Sequence, residues 1–295
     1  MSKSGKGTAN VFEKARRRLW GLAYRMLGSA ADADDAVQET WLRWQSAMHD
    51  EIASPDAWLT SVCSRLCIDM LRAAHRTRVD YVGPWLPEPL FGDVAIDPLD
   101  TVELASSLSM AFLLLLERLT PVERAAYLLH DVFDYGYDDI AAVLEKTPDA
   151  CRQLVSRARR HLKDGKSRFP DNKGEQDRLL TEFLAALRSG ETDQLASLLA
   201  EEAELWTDGG GKVIAQTEIV HGRDEIVRIL AMIWDAAWRE LDFEEVEING
   251  RPGLVLQEGG GIAGALTLSE TPDKQIAGVY VVRNPDKLEH IRGNG

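Results

Sequence analysis

Arginine and glutamine side chains recur at steps of three and four residues between Pro148 and Lys163. In a helix, this spacing gathers them on one face and leaves an apolar row at positions 151, 154, 155, 158 and 162. Arg and Gln form paired hydrogen bonds with guanine and adenine edges in the major groove of DNA. The spacing therefore predicts a duplex-reading face made of Asp149, Arg152, Gln153, Ser156, Arg157 and Arg160.

The position of this helix favours DNA binding over the alternative of a solvated basic surface. A shorter helix is predicted at 137–144, and only Glu145, Lys146 and Thr147 separate the two. Two helices joined by a three-residue turn have the spacing of a helix-turn-helix, whose second helix enters the major groove.

Two further charged faces lie on predicted helices near the N-terminus. The first is basic and consists of Arg65, Asp69, Arg72 and Arg76. Taken alone, pairing of its arginines with Asp69 inside the helix is the simpler interpretation. The second is acidic, and by itself it is also typical of a solvated surface. Its members are Asp32, Asp34, Asp35, Gln38 and Glu39.

These faces are positioned by helices that have clear start and stop signals. The first helix is predicted to end at Gly28, and Ser29 with Asp32 forms a capping pattern for the second. Ser54 and Pro55 open the third, and a capping box at 120–123 opens another after an apolar helix at 104–119. A proline-rich acidic segment at 80–100 separates two helical groups, and a polar stretch at 165–174 reads as a second linker.

The last part of the chain has a different pattern. Helices are predicted near 175–189, 192–199 and 222–240, and strands at 243–248, 253–257, 262–268 and 276–283. Asn249-Gly250 is a hairpin signal between the first two strands. Helices followed by antiparallel strands predict an α+β domain.

The average charge conceals an uneven distribution. The 295 residues carry a net charge of −14, which by itself argues against nucleic-acid binding. Residues 1–169 contain 22 Lys and Arg against 24 Asp and Glu, a net of −2, whereas residues 170–295 contain 12 against 24, a net of −12. The acidity therefore belongs mainly to the C-terminal part.

Composition also limits the compartment and the chemistry. Cys63 and Cys67 lack a second pair at zinc-ligand spacing, so both are predicted to be core residues, and three cysteines do not make a disulfide framework. The longest apolar run, 110–116, is too short to span a bilayer, and the N-terminus lacks an apolar signal. We expect a cytoplasmic protein without membrane contact, metal or cofactor.

Taken together, the motifs resemble those of bacterial extracytoplasmic-function (ECF) sigma factors. AYRMLGSAADADDAVQETWLRW and SPDAWLTSVCSRLCIDMLRAAHRTR are similar to the sigma-2 domain, and LTPVERAAYLLHDVFDYGYDDIAAVLEKTPDACRQLVSRARRHL is similar to the sigma-4 domain. Glu145 stands where the family often has Gly, and Gly136 where Ser or Thr is expected. The resemblance implies that the acidic face binds core RNA polymerase, the Arg65–Arg76 stripe meets the −10 promoter element, and the Pro148 helix reads the −35 element.

Three more motifs are similar to those of ECF sigma factors that carry a fused SnoaL-like domain, a cone of the ketosteroid-isomerase type. The first motif lies at 85–89 in the linker, and the second and third lie at 208–212 and 284–288 in the C-terminal domain. The resemblance implies regulation in cis instead of by a separate anti-sigma factor. The motif residues expected to make regulatory contacts are Trp85, Leu86, Pro87, Glu88, Pro89, Asp208, Gly209, Gly210, Gly211, Lys212, Asn284, Pro285, Asp286, Lys287 and Leu288.

The predicted organisation is a disordered N-terminus at 1–10, a sigma-2 domain at 11–78, a linker at 79–102, a sigma-4 domain at 103–168, a linker at 169–174 and a SnoaL-like domain at 175–295. We predict all-α sigma domains followed by an α+β cone. The predicted partners are core RNA polymerase, promoter DNA and a possible small-molecule ligand of the C-terminal domain.

Two alternative functions are weighed against this one. A one-component helix-turn-helix regulator has no use for the acidic face of the second helix. A small-molecule isomerase or cyclase needs an acid or base, for which Asp208, His221 and Asp235 are candidates in a cavity that tryptophans could line. No pair of these has a spacing diagnostic of catalysis, so we predict that the protein is not an enzyme.

Overall fold

The computed structural model describes residues 3–78, 80–92, 107–166 and 173–289, which form two compact units. The first unit contains residues 3–78, Ser107 and residues 115–163. The second contains residues 80–92, 108–114, 164–166 and 173–289. No helix among the described residues is long and apolar enough to cross a membrane.

The first unit begins with three helices that pack on one another: α1 (Lys3–Leu27), α2 (Ala30–Ser46) and α3 (Pro55–Arg78). The Ser29 side chain accepts a hydrogen bond from the Asp32 amide, as the capping pattern predicts. The predicted disordered segment at 1–10 is wrong for residues 3–10, because α1 begins at Lys3. The Trp44 indole donates to the Thr8 carbonyl at 3.0 Å, a long-range contact that helps to hold this early turn.

The rest of the first unit carries the helix-turn-helix. α4 (Met110–Leu116) spans the two units and is shorter than the predicted helix at 104–119, whose residues 104–106 lie outside the described part. α5 (Pro121–Tyr127) begins with the predicted capping box between Thr120 and Glu123 and continues as a π turn at Leu128–Val132. α6 (Tyr137–Leu144) and α7 (Pro148–Lys166) follow.

The second unit is an α+β domain. α8 (Lys173–Ser189), α9 (Thr192–Leu198) and α10 (Arg223–Ile233), extended by a π turn at Trp234–Trp238, contribute its helices. The strands are β1 (Leu199–Asp208), β2 (Val220–His221), β3 (Asp242–Ile248), β4 (Arg251–Glu258), β5 (Gly261–Glu270) and β6 (Ile276–Val282). Apolar residues of the helices pack on one face of the sheet, against Leu254, Leu266 and Val281 among others.

The described strands form one six-stranded sheet in the order β2-β1-β6-β5-β4-β3. The hairpin predicted at Asn249-Gly250 joins β3 and β4, and both residues have positive φ, as such a turn requires. The four predicted strands pair antiparallel, as expected, whereas β1, which the sequence patterns did not predict, pairs with β6 in parallel. The missed strand β1 alternates buried Ala203, Leu205 and Thr207 with more exposed residues, a period-two signal that its acidic residues obscured.

Candidate functional site

The predicted DNA-reading face of α7 is exposed along its length. Cys151, Val155, Ala158 and Leu162 are buried on the opposite side, so the helix is amphipathic as its sequence predicts. All six predicted residues are exposed to solvent. The guanidinium of Arg152 contacts the Asp149 carboxylate and lies 5.2 Å from the centre of the Tyr137 ring.

The turn before α7 fixes how this helix leaves α6. Glu145 adopts the left-handed conformation with φ of 53°, which explains why Gly is common at this position in similar turns. Thr147 caps α7, since its hydroxyl accepts a hydrogen bond from the Ala150 amide at 3.2 Å. Gly136 begins α6 without a side-chain cap.

The basic stripe on α3 faces the helix-turn-helix. The Arg65 guanidinium donates to the carbonyl oxygens of Val143 at 3.0 Å and Ala142 at 3.3 Å, and pairs with the Glu145 carboxylate at 2.8 Å. These carbonyls are at the C-terminus of α6, where the helix dipole favours a cation. Arg72 pairs with Asp69 at 3.3 Å, as the intrahelical interpretation predicts. The side chain of Arg76 lies outside the described residues.

A cleft of about 570 Å³ lies beside Arg65. Its wall on the side of α3 includes Trp58 and Val62, and its other wall includes Asp139 and Ala142 of α6. Trp58 is partly buried and packs on Trp44, with 5.4 Å between ring centres. Trp58 therefore packs on Trp44 on one side and lines the cleft on the other.

The acidic face of α2 is largely accessible, with Asp34, Asp35 and Gln38 exposed. Asp34 accepts a hydrogen bond from the Trp20 indole at 2.8 Å. Leu42, four residues after Gln38, is 50% exposed, although its apolar character gives no reason for exposure. Leu42 is next to the acidic residues on the helix surface, because residues four apart are neighbours there. The sequence patterns did not predict this exposed apolar side chain.

The three motifs attributed to the linker and the C-terminal domain meet in the second unit around the carboxylate of Asp208, which is fully buried. One oxygen accepts hydrogen bonds from the Tyr81 hydroxyl at 2.5 Å and the Gly210 amide at 3.1 Å. The other accepts from the Leu86 amide at 2.8 Å and the Lys287 ammonium at 2.6 Å. This cluster is called the linker anchor below, and Asp208 is its centre.

Lys287 binds the linker a second time. Its ammonium donates to the Leu86 carbonyl at 2.5 Å and lies 4.3 Å from the centre of the Trp85 ring, a cation–π contact. Trp85 is partly buried beneath this contact. Because the Lys287 side chain is only 7% exposed, its charge is balanced mainly by Asp208.

The glycine loop lies close to the third motif. Gly210 has φ of 59°, and a Cβ added there would lie 2.3 Å from the Asn284 side-chain nitrogen. Asn284 in turn donates to the Tyr81 hydroxyl at 2.9 Å. Lys212 and Asp286 form an exposed ion pair at 2.6 Å that joins the two motifs. The space beside Asn284 therefore requires glycine in this loop.

An apolar floor and a second pair of hydrogen bonds extend the linker anchor. Leu86, with no exposed surface, packs in a cluster that includes Met110, Tyr280 and Leu288. Farther along the linker, the Leu90 amide donates to the Asn249 side chain at 2.9 Å, and the Asn249 amide donates to the Leu90 carbonyl at 2.8 Å. Residues 81–90 are thus held to the sheet at both ends.

The candidate catalytic residues do not form a catalytic group. Asp208 is occupied by the linker anchor, and Asp235 pairs with Arg239 at 2.5 Å. His221 is exposed and lies 3.4 Å from Glu204. Of the tryptophans proposed to line a cavity, Trp238 does so, whereas Trp206 packs in the cluster below the linker and Trp234 packs on Phe243.

The three cysteines are buried and free. Cys63 and Cys67 both lie in the core, as predicted. Within the described ranges, no group of three or more potential ligands is placed to hold a metal ion. A hydrogen bond from Cys63 and burial raise the pKa of the Cys67 thiol.

Tyr81 makes the linker anchor sensitive to alkaline pH. Burial and the hydrogen bond to Asp208 raise the pKa of Tyr81 above its ordinary value of 10.0. Because the pKa of Tyr81 is higher in the folded than in the unfolded protein, the stability that the protonated hydroxyl contributes is complete below pH 10.0. That contribution is lost as the pH rises through the raised pKa. We expect the difference in absorbance near 295 nm between the wild type and Tyr81→Phe to show a step well above pH 10. A step centred at pH 10 would contradict this environment for Tyr81.

A helical unit with an exposed helix-turn-helix is typical of a DNA-binding protein. Residues 11–77 match Sigma-70 region 2, and residues 109–162 match Sigma-70, region 4. The chain belongs to the ECF RNA polymerase sigma factor family, whose function is recognition of promoters by RNA polymerase. The predicted fold class is confirmed for the helical sigma-2 and sigma-4 regions and for an α+β domain that follows them.

Similar proteins extend the match through the C-terminal domain. The ECF RNA polymerase sigma factor SigJ of Mycobacterium tuberculosis is 36% identical over 287 residues, which cover 94% of this chain and 92% of SigJ. The probable ECF sigma factor SigI of the same species is 30% identical over 285 residues, covering 94% of this chain and 93% of SigI. The crystal structure of SigJ superposes with a TM-score of 0.74 at 33% identity, covering 95% of this chain and 98% of that one.

Proposed function

We propose that the C-terminal domain regulates this sigma factor in cis by holding the linker between its two DNA-binding regions. The observation that carries the proposal is the Asp208 carboxylate, which binds the linker at Tyr81 and Leu86 and the third motif at Lys287. A change in the C-terminal domain that moves this carboxylate acts directly on the segment that connects region 2 to region 4. In this proposal, no separate anti-sigma factor is required.

The surfaces for promoter and polymerase follow from the exposed faces. The α7 face, led by Arg152 and Gln153, reads the −35 element, because these side chains are exposed and are of the types that form paired contacts with base edges. The α3 stripe meets the −10 element, with the cleft beside Trp58 available for an unstacked base. The acidic α2 face, extended by the exposed Leu42, docks on core polymerase.

The remaining predictions about the protein belong to the same proposal. It acts in the cytoplasm, it is not an enzyme, and the domain boundaries follow the predicted linkers at 79–102 and 169–174. The absence of catalysis is supported by Asp208, because a carboxylate with four hydrogen-bond donors and no exposed surface is poorly placed to exchange protons with a substrate. A small molecule that binds the C-terminal domain is the signal that the regulation can sense.

Contact of the α3 stripe with promoter DNA also requires the Arg65 side chain to break its contacts with α6 and Glu145. Its guanidinium is engaged by two carbonyls and by Glu145, so the α3 stripe is partly covered by the helix-turn-helix. We expect Glu145→Lys to raise the affinity of the reconstituted holoenzyme for promoter DNA by about two- to thirtyfold, because it replaces an ion pair by repulsion, each worth about 0.2–1 kcal/mol. The measurement is equilibrium binding of core polymerase, reconstituted with the full chain, to a labelled promoter duplex.

The matched control is Asp138→Lys, which makes the same change of charge at the other, exposed end of α6. It should leave the affinity unchanged. An affinity that responds equally to both substitutions would reflect net charge, and the proposed release of Arg65 would be wrong.

The test of regulation in cis is promoter output from reconstituted polymerase with substitutions in the linker. Leu86→Ala should alter output several-fold, because it removes a fully buried side chain from the floor of the linker anchor. Val82→Ala, at a linker position that is 55% exposed, is the control and should behave as the wild type. Output from Leu86→Ala that equals the wild type would remove the linker from the regulation.

A further inference from the structure

The second unit contains a cavity that the linker anchor does not use. Its volume is about 810 Å³, within the range of roughly 300–1,000 Å³ that is usual for small-molecule sites. The ends of β1 and β6 form its floor through Thr207 and Val281, and the π turn after α10 forms a wall through Ala237 and Trp238. The loop 211–216 completes the lining.

The cavity exposes apolar surface to water. Ile214 is 93% exposed and Met232 is 51% exposed, and both line it. The partly buried Val213 and Ile233 add further apolar surface to the lining. Large apolar side chains left open together mark a surface for binding an apolar group. A ligand for this cavity therefore has an apolar body.

Two residues that line the cavity carry buried hydrogen-bond donors without acceptors among the described residues. Trp238 is only 1% exposed, yet its indole nitrogen has no hydrogen-bond partner among the described residues. The buried Nε of Arg283 also lacks a partner in the part of the chain that the structure describes. Both groups can only donate. A buried donor without an acceptor is costly, and a ligand oxygen would satisfy it.

The charge of the lining selects an anion. Lys212 and Arg283 line the cavity, and among the described residues no Asp or Glu does so. This composition contrasts with residues 170–295 as a whole, where 24 acidic residues outnumber 12 basic ones. Because Lys212 is paired with Asp286, Arg283 supplies the positive charge of the lining, and this charge favours an anionic ligand over a neutral or cationic one.

We propose that this cavity binds a small organic anion with an apolar body, whose carboxylate accepts hydrogen bonds from Trp238 and Arg283. The site lies directly across the sheet from the linker anchor. Thr207 and Val281 face the cavity, whereas their neighbours Asp208 and Val282 belong to the opposite side, because successive side chains of a strand alternate. The glycine loop is shared, since Gly211 lines the cavity while Gly210 donates to Asp208.

The test is binding of two probes with the same apolar chain, decanoate and 1-decanol, to the full-length protein by calorimetry. We expect decanoate to bind at least tenfold more tightly than 1-decanol, because only the carboxylate can accept charge-assisted hydrogen bonds from both Trp238 and Arg283. Arg283→Met should weaken decanoate binding about tenfold and leave 1-decanol unchanged. Ala237→Phe, at an exposed position of the wall, should prevent binding of both probes.

Trp238→Phe keeps the ring and removes the donor, so it should also weaken decanoate binding selectively. Its control is Trp234→Phe in the same π turn, because Trp234 packs on Phe243 and does not line the cavity. Equal affinity for the two probes, or decanoate binding that survives both Arg283→Met and Trp238→Phe, would overturn the proposal. The assay contains neither polymerase nor DNA, so its result is independent of regulation through the linker.

Discussion

Asp208→Ala is expected to lower the free energy of unfolding of the second unit by about 3–5 kcal/mol, because it leaves the buried ammonium of Lys287 without its carboxylate. The same substitution removes the acceptor for the Leu86 amide, so that amide should exchange its hydrogen much faster. Chemical denaturation followed by tryptophan fluorescence and hydrogen exchange of residues 81–90 measure the two effects. Together they report on the strength of the linker anchor.

The control for this prediction is Asp286→Ala. Asp286 also pairs with a lysine of the neighbouring motif, but the side chains of Lys212 and Asp286 are 53% and 57% exposed. An exposed pair contributes about 0.2–1 kcal/mol, so this variant should be nearly as stable as the wild type. Asp208→Leu combined with Lys287→Met should recover much of the lost stability, because apolar residues can replace a buried pair. Equal losses for Asp208→Ala and Asp286→Ala would contradict the buried anchor.

Arg152→Ala is expected to relax the preference for one base pair of the −35 element by about 1–3 kcal/mol. Its guanidinium is on the exposed face of α7, and its contacts with Asp149 and Tyr137 are at the surface, so the fold should tolerate the change. Competition binding with single-base variants of the promoter measures the effect. A uniform loss on all sequences would instead assign Arg152 to the phosphate backbone.

Arg118→Ala is the matched control for DNA recognition, because it removes one exposed charge from the same unit outside α7. It should leave base preference unchanged. Arg159 provides a useful contrast, since it pairs at 2.6 Å with Asp131, whose side chain is only 7% exposed. Arg159→Ala should therefore lower the stability of the first unit, and its loss of DNA binding should follow unfolding.

Features that depend on a few neighbouring residues were predictable from the sequence. The caps at Ser29 and Thr120, the buried row of α7 and the hairpin at Asn249 each rest on side chains within one or two turns of the chain. The exposed DNA-reading face follows from the same local periodicity. The order of the domains and the motifs expected to make regulatory contacts came from the family resemblance.

Features that depend on distant partners were not predictable. The parallel pairing of β1 with β6 joins segments that are about seventy residues apart, and nothing local marks it. Arg65 was matched with Asp69 on its own helix, but its described partners are on α6. Asp208 was a candidate for acid–base chemistry, and its burial by Tyr81 and Lys287 became visible only when the linker was placed on the sheet.

The most direct measurement is run-off transcription from a genomic promoter library by core RNA polymerase reconstituted with the full chain. We predict transcripts from a limited set of promoters that share one pair of −35 and −10 elements, and a relaxed preference at one position of the −35 element with Arg152→Ala. Transcription no different from that of core polymerase alone would contradict the assignment of this chain as a promoter-recognising sigma factor.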